Sequence, residues 1–168
     1  MTELRALVED AVADLCTRFE HGGYTAMPVV DLGVLVARAD GSMDEKERET
    51  LREAFEALLE TRLNAEVVGH LITASLEVIE AAGADARARL IVEILKDCDA
   101  VEQGVIVALF IAFASEGLST NERSVIAQIA RAGGLSEERF QELIVRVRAK
   151  LPETGSARDS LQSPASRR

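Results

Sequence analysis

The sequence predicts an all-α fold, a duplicated helical bundle of about seven to eight helices with a pseudo-twofold internal repeat. Three observations lead there. Apolar residues recur at steps of three and four along the body, the spacing that lines one face of a helix. No segment shows the strict alternation of a half-buried strand. The chain also matches itself when slid by 75 positions.

The elements follow in order. Leu4, Leu7, Val8, Ala11, Leu15 and Phe19 mark a first amphipathic helix, broken at His21-Gly22-Gly23. A second helix is expected from Met27 or Pro28 to about Ala39, and Asp40-Gly41 ends it. Its Val29, Val30, Leu32, Val34, Leu35 and Val36 make it apolar on most faces, which places it centrally. A third helix starts at Asp44 and carries Leu51, Ala54, Phe55, Leu58 and Leu59. Asn64 is a good N-cap for a fourth, which stops at Gly83. A fifth holds Leu90, Ile91, Ile94 and Leu95. A sixth is the apolar stretch through Phe110 and Phe113, ending near Ser115. A seventh follows Ser119 and stops at Gly133-Gly134, and Ser136 caps a last helix through Phe140, Leu143, Ile144 and Val147. Residues 1–151 form one domain with its repeat core at 28–148, and the Ser/Pro/Arg-rich residues 152–168 read as a disordered tail.

Composition narrows the function. The 168 residues carry a net charge of −10, which argues against nucleic acid or an anionic membrane surface as the main partner. Aromatics are only 4%, with no Trp and one Tyr, so base-stacking platforms and aromatic cages are not expected. Cys16 and Cys98 lie far apart outside any CxxC pair and read as small buried thiols. His21 and His70 are isolated, and no HExxH motif is present. The first residues lack the basic and apolar regions of a signal peptide. The longest apolar run, Val105 to Ala114, falls short of the ~20 residues of a membrane span. The expected compartment is the cytoplasm, without direct membrane insertion. Leu151-Pro152-Glu153-Thr154-Gly155 resembles a sortase motif but has no hydrophobic segment behind it, and we read it as chance.

The repeat locates the chemistry. At the 75-residue offset Val36-Ala37 meets Ile111-Ala112, Met43 meets Leu118, and Glu47-Arg48 meets Glu122-Arg123. Each copy reads as an apolar helix, a Gly-containing turn and an amphipathic helix. Asp44 with Glu47, and Ser119 with Glu122, have the N-cap and N3 spacing of a capping box, which accounts for these four residues without a ligand. Asp40 and Glu116 are different. Each stands at the C-terminal end of a helix, where the macrodipole disfavours negative charge by ~0.3–1 kcal/mol. Acids so placed, with more acids within one turn, suit a hard cation such as calcium or magnesium, which takes oxygen ligands. The spacing is not that of an EF-hand, so a site must be assembled from both turns.

Ala39-Asp40-Gly41-Ser42-Met43-Asp44-Glu45-Lys46-Glu47 resembles the repeated ADGxΦxxxE signature, Φ being apolar, of the TerB-like tellurite-resistance proteins. It is also similar to the N-terminal domain of the DjlA-type co-chaperones. Ala114-Ser115-Glu116-Gly117-Leu118-Ser119-Thr120-Asn121-Glu122 resembles the second occurrence of the signature, and Gly134 to Phe140 its sequel. The resemblance implies a duplicated helical fold with an acidic, cation-binding patch. By position it implies Asp40, Asp44, Glu47 and Glu122 as ligands. Ser115 and Ser119 stand where the family has acids, so the second half-site is weakened, and Glu116, displaced by one residue, is placed to compensate.

Two functions are therefore expected in competition. One is a stress-response protein of the tellurite-resistance type that binds a divalent cation, calcium or magnesium, and works through protein partners in a membrane-linked resistance complex. The other is a metal-free helical interaction module, similar in role to the co-chaperone domain. An enzyme is not expected. The sequence holds no GxSxG elbow, P-loop or GxGxxG fingerprint, and the turn acids show no apolar pocket that would raise a pKa.

Overall fold

The computed structural model describes residues 2–60, 62–114 and 117–151, with side chains from residue 6 onward. Among these residues eight α-helices follow one another, with no strand: Thr2–His21 (α1), Met27–Ala37 (α2), Glu45–Leu59 (α3), Ala65–Ala82 (α4), Ala84–Asp97 (α5), Val101–Ala114 (α6), Thr120–Ala132 (α7) and Glu137–Ala149 (α8). The expected sequence of helices is met. The tail, residues 152–168, lies outside the described residues.

Local chemistry sets the starts. Asp44, Asn64, Ser119 and Ser136 each have extended backbone, and each side chain accepts a backbone N–H three residues on, at 2.8 to 3.1 Å. Each satisfies one of the four N–H groups a helix start leaves unpaired. Proline in the first turn of α2 is tolerated because its missing N–H has no partner there. Gly83 serves two helices. Its φ of 90° ends α4, and α5 begins at the next residue, so the two axes meet at 117° with no loop between them. No single helix among the described residues is long and apolar enough to cross a membrane.

Helices α2 and α6 occupy the centre. Pro28 to Val36 are buried without exception, and so are Gly104 to Leu109 together with Ile111 and Ala112. Around them the amphipathic helices each turn one stripe inward: Leu51, Phe55 and Leu59 from α3, Ile126, Ile129 and Ala130 from α7, Phe140, Leu143, Ile144 and Val147 from α8. Leu90, one of the four apolar residues that mark α5 in the sequence, stays on its outer side. It is 46% exposed, because Ile91, Ile94 and Leu95 take the core side of α5.

The central position of α2 hides one charge. Asp31 is fully buried, and Ser75 of α4 donates to it at 2.6 Å. Arg87 of α5 donates through Nε at 3.0 Å and Nη2 at 2.5 Å. The apolar reading of α2 passed over this carboxylate, which joins three helices. Helix α2 also ends at Ala37, two residues early. Residues 38–40 form a turn closed by the Gly41 N–H donating to the Arg38 carbonyl at 2.8 Å. That turn is where the first repeat places its acid.

Candidate metal-binding cleft

Asp40 follows α2 in the Arg38–Gly41 turn, and Asp44 and Glu47 open α3 four and seven residues later. Ser119 and Glu122 open α7 in the same way after α6. Both turns use a glycine with positive φ, Gly41 at 103° and Gly117 at 100°. A Cβ is disfavoured at such angles, which is why a glycine follows the acid in each copy. The two glycines lie one residue further apart than the 75-residue offset, so registering the copies on them sets Glu116 opposite Asp40 in sequence. Glu116 and Ser115 lie outside the described residues.

The fold brings the two turns together. Asp40, Asp44 and Glu47 from the first copy and Ser119 and Glu122 from the second line one cleft of about 450 Å³, floored by Leu51 and Ile111. Asn121 of α7 donates from Nδ2 to Asp40 Oδ1, a direct link between the copies. Sequence reading missed Asn121. At the 75-residue offset it falls on Lys46, at the same position after the N-cap, and Lys46 lines the cleft.

Both capping boxes are complete. The Asp44 N–H donates to Glu47 Oε2 at 2.8 Å, and the Glu47 N–H returns to Asp44 Oδ1 at 2.8 Å. The Ser119 N–H donates to Glu122 Oε2 at 2.8 Å, and the Glu122 N–H to Ser119 Oγ at 3.1 Å. Each box occupies one oxygen of its acid and leaves the other for a ligand. Asp40, Asp44 and Glu47 are exposed, and Glu122 is partly buried.

The donor set fits a hard cation in kind, being carboxylate and hydroxyl oxygen with no sulfur or imidazole. It is not drawn together. Among the described residues no group of three or more Asp, Glu, His or Cys side chains is arranged to hold a metal ion. The caps explain this, since they fold Glu47 and Glu122 back on their own helices. A cation here has to take the free oxygens, with water completing its shell. The cysteines contribute nothing to the cleft: Cys16 is buried and Cys98 partly so, and burial pushes both thiols up from their ordinary pKa. His70 is an exposed residue of α4, within 3.7 Å of Glu66.

Fold and cleft together define an all-helical domain in which two capped helix starts, one from each copy, share an acid-lined opening. The family model of the tellurite resistance protein TerB matches residues 26–145, well over half of the chain. The chain belongs to that family. No curated protein and no solved structure gives a significant match.

Proposed function

We propose that this TerB-family chain binds a divalent cation, calcium or magnesium, in the cleft between the two repeats, and acts through protein partners in a cytoplasmic, membrane-linked response to tellurite or related stress. The observation that carries the reading is the convergence of Asp40, Asp44, Glu47 and Glu122, from both copies, on one cleft. Water-rich coordination and the cation already present in Lys46 make the binding weak. We read the cleft as a binding site and not a catalytic one. Asp40, Asp44 and Glu47 are exposed, and the capping boxes already engage Asp44, Glu47 and Glu122 with their own helix starts.

Thermal melting tests it. After EDTA, added calcium or magnesium should raise Tm, since a ligand of the folded form stabilises by RT ln(1 + [L]/Kd), about 2.7 kcal/mol at a hundredfold excess over Kd. Asp40→Asn with Glu47→Gln should remove the shift. If no divalent ion moves Tm in the parent chain, the metal-free interaction module is the better reading. That second reading draws support from the capping boxes, which account for Asp44, Glu47, Ser119 and Glu122 without a ligand.

A further inference from the structure

Helix α4 carries two apolar stripes, and the fold covers one of them. Val68, Ile72 and Ile79 face the core and are buried. Val67, Leu71, Ala74 and Val78 form the other, at steps of four, three and four. Val67 is 37% and Val78 36% exposed, while Leu71 and Ala74 are partly buried. Leu90 and Val145, the other large apolar side chains that stand exposed among the described residues, sit one each on α5 and α8. Single exposed apolar residues are ordinary, whereas a run of them along one helix marks a contact surface. Steps of three and four that repeat every seven residues are the spacing by which two helices interlock side by side. At 1.5 Å per residue the seam is about 17 Å long.

The stripe is complementary to itself when a second copy runs antiparallel. A twofold axis passing between Ile72 and Thr73 sets Val67 against the second copy's Val78, and Leu71 against its Ala74. Leu71, the largest of the four, thus falls on the smallest, and the layers fill evenly. The edge of the stripe away from the core carries His70 and Glu77, both exposed. In this register the two flank the same pair of layers. The imidazole N–H of each copy then faces the Glu77 carboxylate of the other, twice by symmetry. Within its own chain His70 Nε2 lies 3.7 Å from Glu66, beyond a good hydrogen bond. A parallel pair would instead stack Leu71 on Leu71 and Ala74 on Ala74. It would bring His70 toward the buried Ser75 edge of the second copy, which offers no carboxylate from α4.

We infer that α4 is a contact between two copies of this chain, paired antiparallel about a twofold axis, with His70 and Glu77 fixing the register. The contact is independent of the cation cleft, which α4 does not line. Its seam is short beside interfaces that bury ~1,200–2,000 Å², so the dimer is weak and concentration-dependent. Sedimentation velocity of the full chain tests it. The mean mass should rise from one chain, 18.2 kDa, toward two between about 10 μM and about 1 mM. Val67→Glu with Val78→Glu sets acid against acid at both ends of the seam and should hold the mass at one chain. His70→Glu, which faces Glu77 with a like charge, should weaken the dimer at least about fivefold, and adding Glu77→Lys should restore it. A parent chain that stays single throughout, or a dimer unmoved by the paired valine changes, overturns the inference. Should the valine variant fail to fold, the charge exchange decides alone. A dimer indifferent to His70→Glu, or not restored by Glu77→Lys, overturns the antiparallel pairing.

Discussion

Helices α2 and α6 meet at the 75-residue offset of the sequence and both run through the core, but they solve the same burial problem differently. At the 75-residue offset Asp31 falls on Ile106, Gly33 on Ala108, and the Phe55 that lies against Gly33 falls on Ala130. Helix α6 is buried by hydrocarbon alone, while α2 carries a carboxylate that Ser75 and Arg87 satisfy from α4 and α5. A buried ion pair adds little net stability over apolar residues of the same volume, whereas removing one partner is severe. The difference teaches that the two stretches share their capped turns and central helices. The packing around each centre followed its own neighbours. Helix α2 packs against both α4 and α5, the arms of the elbow at Gly83, and Asp31 ties both arms to the core.

Making α2 resemble α6 should show how much depends on that charge. Asp31→Ala leaves Arg87 and Ser75 without their partner and should cost about 3–5 kcal/mol in urea unfolding. Asp31→Val with Ser75→Ala and Arg87→Met should recover most of the loss. A single-variant cost below about 1 kcal/mol would show that the pair is not essential.

Next in size is Gly33→Ala, which gives α2 the residue of α6. The new Cβ would press on Phe55 Cζ and lie 2.8 Å from Ile111 Cδ1. Overpacking of this kind costs roughly 1–3 kcal/mol, and Phe55→Leu should relieve it in a double-mutant cycle. Additive losses in that cycle would show that Phe55 is not what excludes the methyl group.

The turns, by contrast, should respond alike. Asp44→Ala and Ser119→Ala each delete an N-cap and should cost about 1 kcal/mol in chemical denaturation. If the cation occupies the cleft, Asp44→Ala should weaken the calcium or magnesium shift in Tm more than Ser119→Ala, because it removes a carboxylate and not a neutral hydroxyl.

The smallest effect concerns α6 and α8. Arg139 donates to Glu102 through Nε at 3.0 Å, and this bond holds the Glu102 carboxyl below its ordinary range. A carboxylate with a lowered folded-state pKa contributes stability fully above its unfolded pKa, near 4.5, and loses it as pH falls through the folded value. The Tm advantage of the parent chain over Glu102→Gln should therefore persist at neutral pH and shrink below about pH 4.5. Both groups are partly exposed, so the advantage should also diminish in high salt. A difference independent of pH would rule out the ion pair as its source.

The legible parts were those with local causes. The caps at Asp44, Asn64, Ser119 and Ser136 were readable because side-chain type and spacing determine which backbone N–H is satisfied. The break at Gly83 was readable for the same reason. Of the cleft residues, Asp40, Asp44, Glu47 and Glu122 were named from the sequence and share one opening, while Glu116 lies outside the described residues. The offset pairs Asn121 with Lys46, but its link to Asp40 was not legible, since it spans 81 positions and follows no local pattern. Nor was the end of α2 at Ala37: the apolar run predicts more helix, and the turn is closed by its own backbone bonds.

By itself the sequence determined the helices, their order and their caps, because each follows from hydrophobic period or from contacts within a few residues. The tertiary structure alone decided that Asp40, Asp44, Glu47 and Glu122 share one cleft and that Asp31 is buried and paired. Those outcomes depend on how helices far apart in the chain lie against one another. Side-chain volumes such as Gly33 against Phe55 settle that arrangement, and no local pattern encodes it.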